Sequence, residues 1–327
     1  MRIHHLNCGT LRPFGGRRIN GSRLPLLTAR LVCHCLLLET EQRLVLVDTG
    51  FGLIDIDRLS RPWTAIRPRL DPTDTARRQL ARHAYSLFVT RPRLDPEETA
   101  LRQVAQLGYA PDDISDIVLT HLDLDHAGGL PDFSAARVHV DQVEYDFAMS
   151  AAALAARSMQ RFRYWPYQWA HGPDWVTYSP GAGESWFGFQ GARELEGLPE
   201  IALVPLPGHS PCHSGVAVRL DAPSAERGAG WLLHAADAYF DHREIDPVAP
   251  QSTPGLASFQ KWLQFDTSAR RETRAQLREL AGAHSGEVEM FCTHDPVEFD
   301  RYRNAERPAA GRRSVGSRDV GPFGGPL

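Results

Sequence analysis

The chain has 327 residues, 42% of them hydrophobic and 23% charged, with a formal net charge of −4. That near-neutral balance gives no electrostatic footprint for nucleic acid or for a membrane surface, and no run of ~18 apolar residues reads as a membrane span. Residues 1–22 are interrupted by His4, His5, Asn7 and several Arg and Gly, unlike a secretion signal, so a cytoplasmic location is expected. The five cysteines, Cys8, Cys33, Cys35, Cys212 and Cys292, are odd in number and scattered, which suits a reducing compartment better than a disulfide framework.

In chain order, the first expected strands are Leu31–Leu38 and Leu44–Asp48. Alternation along the first puts Cys33 and Cys35 on one face and His34 on the other, and both cysteines read as small apolar strand residues. A polar, Pro-rich stretch follows, in which Arg67-Pro68-Arg69-Leu70-Asp71-Pro72 recurs as Arg91-Pro92-Arg93-Leu94-Asp95-Pro96. One repeat cannot close a solenoid core. It reads as a duplicated helix start on the surface, solvated by Arg67, Arg69, Arg77, Arg78 and Arg82. The second copy opens a helix near Pro96–Leu107, with Asp95 as N-cap, proline at the first position and Glu97 and Glu98 in the first turn.

The densest chemistry comes next. A short apolar strand, Ile117–Thr120, runs into His121-Leu122-Asp123-Leu124-Asp125-His126, followed by Gly128-Gly129. Two imidazoles and two carboxylates within six residues, on a loop leaving a strand end, form a metal-ligating pattern. Any one of them alone would more often be a surface group or a cap. Beyond the loop, a strand is expected at Val138–Val140, a helix over about 142–161 and an aromatic-rich loop region over 162–190. Tyr164, Trp165, Tyr167, Trp169, Trp175 and Trp186 there either line an apolar pocket or pack the segment onto the body. Strands return at Ile201–Pro205, Gly215–Leu220 and Trp231–Ala235, then a helix near Arg270–Ala281 and a strand at Glu289–Thr293. Two halves of similar order suggest an αββα sandwich, two mixed β-sheets packed face to face with helices outside. A single domain over 1–306 is expected, with an insert near 142–190, while the Gly-, Pro- and Arg-rich segment 307–327 reads as disordered.

The run His121 to His126 resembles the H-x-H-x-D-H signature of the metallo-β-lactamase superfamily of metal-dependent hydrolases, with Asp123 where a second His is usual. Four more segments resemble that family in its order. They are Leu44–Gly50 ending in Asp48-Thr49-Gly50, the turn Pro207-Gly208-His209-Ser210, the strand Trp231–Ala235 leading to Asp237, and Phe291–Asp295 carrying His294. The resemblance implies the same αββα fold and two divalent metal ions. The first would take His121, Asp123 and His209, the second Asp125, His126 and His294, with Asp237 bridging. It further implies a hydroxide between the metals attacking a small ester-like bond, with Asp125 and Tyr239 as catalytic residues. Tyr239 is similar to the substrate-binding tyrosine of N-acyl-homoserine lactonases, offset by one residue. Zinc is the expected metal, and the hard Asp123 carboxylate makes manganese or iron alternatives. Asp48 and His213 are expected to brace ligands from behind. Cys212, three residues past His209, is a further candidate near the chemistry, and Ala236 stands where glycine often precedes the bridging Asp.

A lactone is the leading substrate class implied, with thioesterase and phosphodiesterase activities of the same superfamily as alternatives. A diiron redox domain is a more distant one, since too few residues follow His294 for the flavin domain such proteins carry. The expected partner is therefore a small-molecule ester or lactone, not nucleic acid or membrane. Oligomeric state stays open, a homodimer being one option.

Overall fold

Alternation along the strands decides the layering. In β2 (Leu31–Glu39) every residue from Leu31 to Leu38 is buried, because the two faces meet different cores, as in a sheet covered on both sides. Leu36 and Leu38 face a cluster shared with Val216, Val218 and Leu232 from a second sheet. Cys35 and Leu37 face another, shared with Ala100, Val104 and Ala148 from outer helices. The computed structural model describes residues 1–21, 27–62, 76–150, 162–179, 183–221 and 228–306.

The first sheet runs in sequence order: β1 (Arg2–Leu11), β2, β3 (Leu44–Val47), β4 (Ile114–Val118), β5 (Arg137–Asp141) and β6 (Asp174–Tyr178). Its β1/β2 and β2/β3 pairs are antiparallel, and its β3/β4, β4/β5 and β5/β6 pairs are parallel. The second sheet holds β7 (Glu184–Trp186), β8 (Phe189–Leu195), β9 (Leu198–Pro205), β10 (Ser214–Arg219), β11 (Trp231–His234) and β12 (Val288–Phe291), the last two parallel. Its outer face takes Leu277 and Leu280 of the helix Thr267–Ala283 against Val204, Ala217 and Leu233. Helix, sheet, sheet and helix thus stack as four layers, the αββα order expected from the pattern.

Several expectations needed correction. Strand β1 was hidden by its polar residues, yet His5 is buried and its ring pairs with His34 across β2 at 2.8 Å. The aromatic region 162–190 is not all loop, since it carries β6, β7 and the start of β8. Its rings mostly serve packing: Tyr164 and Trp169 belong to the core beneath the first sheet, and Trp186 meets Trp231 edge-on. Asp95 does cap, but only a short turn over Pro96–Glu98, after which Thr99 caps a separate helix Ala100–Gln106. The helix expected over 142–161 is seen as Gln142–Met149, and 151–161 lie outside the described residues. So do the first copy of the duplicated segment and the segment 307–327. Arg82, expected to be solvated, is buried. Helices Leu53–Ser60, Pro254–Leu263 and Pro296–Glu306 were not anticipated. Among the described residues no helix is long and apolar enough to cross a membrane.

Candidate metal centre

The loop after β4 is braced from beneath before it presents anything to solvent. Thr120 donates its backbone N–H to Asp48 Oδ1 at 2.9 Å and its hydroxyl to Oδ2 at 2.8 Å. Asp48 Oδ2 also accepts from His126 Nδ1 at 2.8 Å, which fixes the tautomer and turns Nε2 toward the cleft. Asp48 therefore acts behind the site, as its position at a strand end suggested. His213 does the same for the loop after β11: Nδ1 donates to the Leu206 carbonyl at 2.9 Å, and Nε2 accepts the backbone N–H of Asp237 at 2.9 Å. His294 Nδ1 donates to the Val32 carbonyl at 2.8 Å, so its Nε2 also faces inward. Glu144, a residue that the sequence reading did not single out, ties two ligand loops together. It accepts from Leu122 N at 3.2 Å, Ser210 Oγ at 2.7 Å and Tyr164 Oη at 3.1 Å.

Inside this frame the donor atoms converge. His209 Nε2 lies 3.1 Å from Asp123 Oδ2 and 3.3 Å from Asp237 Oδ2, and His121 Nε2 lies 3.4 Å from Asp123 Oδ2. On the other side His126 Nε2 is 3.4 Å from Asp237 Oδ1, while His294 Nε2 is 3.2 Å from Asp237 Oδ2 and 3.8 Å from Asp125 Oδ2. A tetrahedral ion with bonds of ~2.0–2.1 Å sets neighbouring donors ~3.3 Å apart, so most of these spacings are those of a chelate. Four of the atoms, His121 Nε2, Asp123 Oδ1, His126 Nε2 and Asp237 Oδ1, are buried without a hydrogen-bond partner. Buried polar atoms are rarely left unpaired. Four clustered orphans, all capable ligands, fit a place where cations would be held.

Titration follows the same logic. Burial opposes the charge of Asp237, yet His294, His126 and His209 around it hold its carboxyl well below the usual carboxylate range. Burial likewise opposes protonation of His126, but Asp48 and Asp237 raise it well above an ordinary imidazole, and Asp237 raises His294 against the same opposition. Protons are thus drawn to the places a cation would take, and a metal must displace them. His209 is the exception: burial and the neighbouring Arg163 guanidinium push it down to about 3, so it stays a neutral donor.

All seven residues implied as ligands, His121, Asp123, Asp125, His126, His209, Asp237 and His294, are brought to this one place. Tyr239 is not. The one-residue offset turns its side chain away into the second sheet's outer core, where it is fully buried and its hydroxyl donates to Glu298 at 3.1 Å. The tyrosine lining the cleft is Tyr85, stacked on Phe162. Cys212 is also held off, close to Asp141 rather than to any ligand. Cys33 is closer than its strand reading implied, with Sγ 3.9 Å from Asp125 Oδ2 and near His294. Ala236 takes a left-handed φ of 47°, which costs an alanine ~1–2 kcal/mol and places that strain beside Asp237.

Glu298 gives a stability prediction independent of the metals. Burial, then nearby Asp295, pushes its carboxyl from 4.5 up to about 8. The folded chain therefore holds a proton that the unfolded chain releases. That contribution is complete below about pH 4.5 and is lost as pH rises through about 8. Glu298→Gln, which is uncharged and of similar shape, is expected to remove a fall of roughly 3 kcal/mol between about pH 5 and pH 8. Urea unfolding of both proteins across that range tests it, and parallel pH curves would refute it.

Residues 28–224 match the family model described as the metallo-beta-lactamase superfamily. The chain belongs to that superfamily. A probable metallo-hydrolase of Mycobacterium tuberculosis is 37% identical over 313 residues, covering 93% of this chain and 83% of that protein. An N-acyl homoserine lactonase of Bacillus thuringiensis is 24% identical over 234 residues, covering 71% and 74%. Among solved structures, an N-acyl homoserine lactone hydrolase with N-hexanoyl-L-homoserine at its catalytic metal centre aligns with a TM-score of 0.59 and 20% identity. That alignment covers 91% of this chain and 95% of the other. A dizinc quorum-quenching lactonase aligns with a TM-score of 0.53 and 17% identity, over 90% and 87%. The superfamily assignment makes this chain a metal-dependent hydrolase, and the structural likeness carries the fold.

Proposed function

We propose that the chain is a binuclear metal-dependent hydrolase of a small ester-like bond, with a lactone bearing an apolar acyl group as the substrate class. The observation that carries this reading is a cleft in which the converging donors of Asp123, Asp125, His209, Asp237 and His294 meet a largely apolar lining. Leu11, Leu124, Phe162, Phe240, Phe259 and Leu263 form that lining, with Tyr85, Thr90 and Arg163 as its further polar groups. Apolar walls with a few convergent polar groups suit an acyl chain ending in a polar, cleavable head. The relatives named as lactonases support the same class.

In this reading His121, Asp123 and His209 would hold one ion and Asp125, His126 and His294 the other, with Asp237 shared between them. Divalent ions bound there would supply Lewis acidity and bring the pKa of water down to ~7. The chain's own part is orientation: Asp48 and His213 keep His126 and Asp237 aimed into the cleft, and the aromatic walls exclude water and seat the acyl group. Asp125, partly exposed at the cleft, would in this reading accept a proton from the reacting group as well as ligate. Tyr85 replaces Tyr239 as the phenol beside the substrate. Zinc suits both sets, each two imidazoles and one carboxylate beside Asp237, while Asp123 in place of the usual imidazole makes the first harder than is common in the family and extends it toward manganese or iron.

The test is turnover of lactones of graded acyl length, a thioester and a phosphodiester by the purified protein. Chelator-stripped samples reloaded with zinc, manganese or iron complete it. Chelation should abolish activity, metal should restore it, and lactone hydrolysis should rise with acyl length. Turnover of the phosphodiester alone would overturn the lactone reading while keeping the metal centre.

A further inference from the structure

Asp123 differs from the imidazole usual at its position, and a second charged residue accompanies it. Arg163, buried and distant in sequence, places Nη1 2.5 Å from Asp123 Oδ2 and 3.0 Å from His209 Nε2. Its other terminal nitrogen is anchored, donating to the backbone carbonyls of His209 at 2.7 Å and Leu263 at 3.1 Å. The guanidinium is therefore not a loose arm at the rim. It is held in place by the same turn that carries the ligand His209.

The two atoms Nη1 approaches are the ones a first metal needs. Asp123 Oδ2 is the oxygen that lies 3.4 Å from His121 Nε2 and 3.1 Å from His209 Nε2. A neutral imidazole nitrogen has one lone pair, which can meet an N–H or a cation but not both. A guanidinium remains charged at any ordinary pH and offers only donors, so it cannot itself become a ligand. Both sets keep donors without a hydrogen bond, His121 Nε2 and Asp123 Oδ1 in the first and His126 Nε2 and Asp237 Oδ1 at the second. The difference is that the guanidinium contacts of Arg163 with donor side chains fall on Asp123 and His209, while Asp125, His294 and Cys33 stand together on the other side.

We infer that Arg163 is a built-in cation gating the first metal position, so that the two sites fill unequally: the second tightly, the first only when the guanidinium is drawn off Asp123 and His209. The inference rests on the binuclear reading proposed above and adds an order of filling and the residue that imposes it. The pair Asp123 and Arg163 together carry the net charge of the neutral imidazole they replace. The fully loaded centre therefore keeps an ordinary charge, and the difference lies in the competition for the first position.

The experiment is a metal titration of the chelator-stripped full chain with Mn²⁺, followed by calorimetry and by electron paramagnetic resonance, for wild type, Arg163→Gln and Arg163→Lys. Wild type should bind two ions in two classes at least tenfold apart. At one equivalent it should show the six-line spectrum of isolated Mn²⁺, with a spin-coupled spectrum only in excess. Arg163→Gln, which keeps hydrogen-bonding capacity without the charge, should tighten the weaker class tenfold or more and leave the tighter one within twofold. Arg163→Lys, which keeps the charge, should stay unequal. Equal affinities in wild type, a coupled spectrum at one equivalent, or no tightening in Arg163→Gln would overturn the gate. The spectrum of wild type decides the matter even if a variant fails to fold. Wild type binding no ion tightly would instead bring down the metal-centre reading itself.

Discussion

Asp237→Ala is expected to reduce hydrolysis by about 10³-fold or more and to leave less than one tightly held ion per chain, while the fold survives. The magnitude follows because this one carboxylate approaches donors of both sets, His209 and His294 through Oδ2 and His126 through Oδ1. On the binuclear reading proposed above, its loss would remove a shared ligand, and with it both the polarising cation and the activated water. Among the described residues, Asp237 is not a member of the inter-sheet core cluster. Metal content per chain, measured beside turnover and thermal unfolding, checks the expectation. Two retained ions with near-normal turnover would mean that the centre is organised around other groups.

The second large effect is on stability. Gly50 has φ +62°, and a Cβ built on it would fall 2.1 Å from the Cys8 carbonyl oxygen. Both are backbone constraints, and Phe51 N donates to that same carbonyl at 2.9 Å, so the strand β1 cannot retreat without losing the bond. Gly50→Ala is expected to cost about 4 kcal/mol or more, in the range reserved for overpacking combined with a disallowed backbone. Because Asp48 lies two residues earlier on the same turn, metal affinity should fall with stability. Urea unfolding and metal retention measure the two together. A loss under about 1 kcal/mol would show that this turn adapts freely.

These two residues also mark what the sequence makes legible. Local signals travelled well: the His-Asp cluster after β4, the Asp-x-Gly turn, and the alternation in β2 and β3 could all be read because each acts over a few residues. The capping signals Thr253-Pro254 and Asp295-Pro296 were equally local, with Thr253 Oγ1 accepting from Leu256 N and Asp295 Oδ1 from Val297 N, so the helices they open were readable in principle. Strand β1 was obscured because His5 counts as polar in any pattern, although in the fold it is half of a buried imidazole pair. Arg163 and Glu144 could not be recognised locally. Their roles exist only after chain closure, when Arg163 meets Asp123 across 40 positions and Glu144 meets Ser210 across 66. Tyr239 fails for the opposite reason. A motif can be shared while one residue of offset reverses a side chain's direction.

Each six-stranded sheet is a continuous stretch of chain, one ending at Tyr178 and the other beginning at Glu184. The donors divide along that seam: His121, Asp123, Asp125 and His126 come from the earlier stretch, and His209, Asp237 and His294 from the later. A cation gripped by both is therefore a rivet between two separately woven pieces. The work of pulling it out is, by linkage, work taken from the attachment of one piece to the other. Withdrawing it should let the halves breathe apart at the seam well before either unravels, so that amide exchange quickens along the facing strands first. The ion's affinity would then add to what the packing of Leu36 and Leu38 on Val216, Val218 and Leu232 already contributes to keeping the two pieces closed.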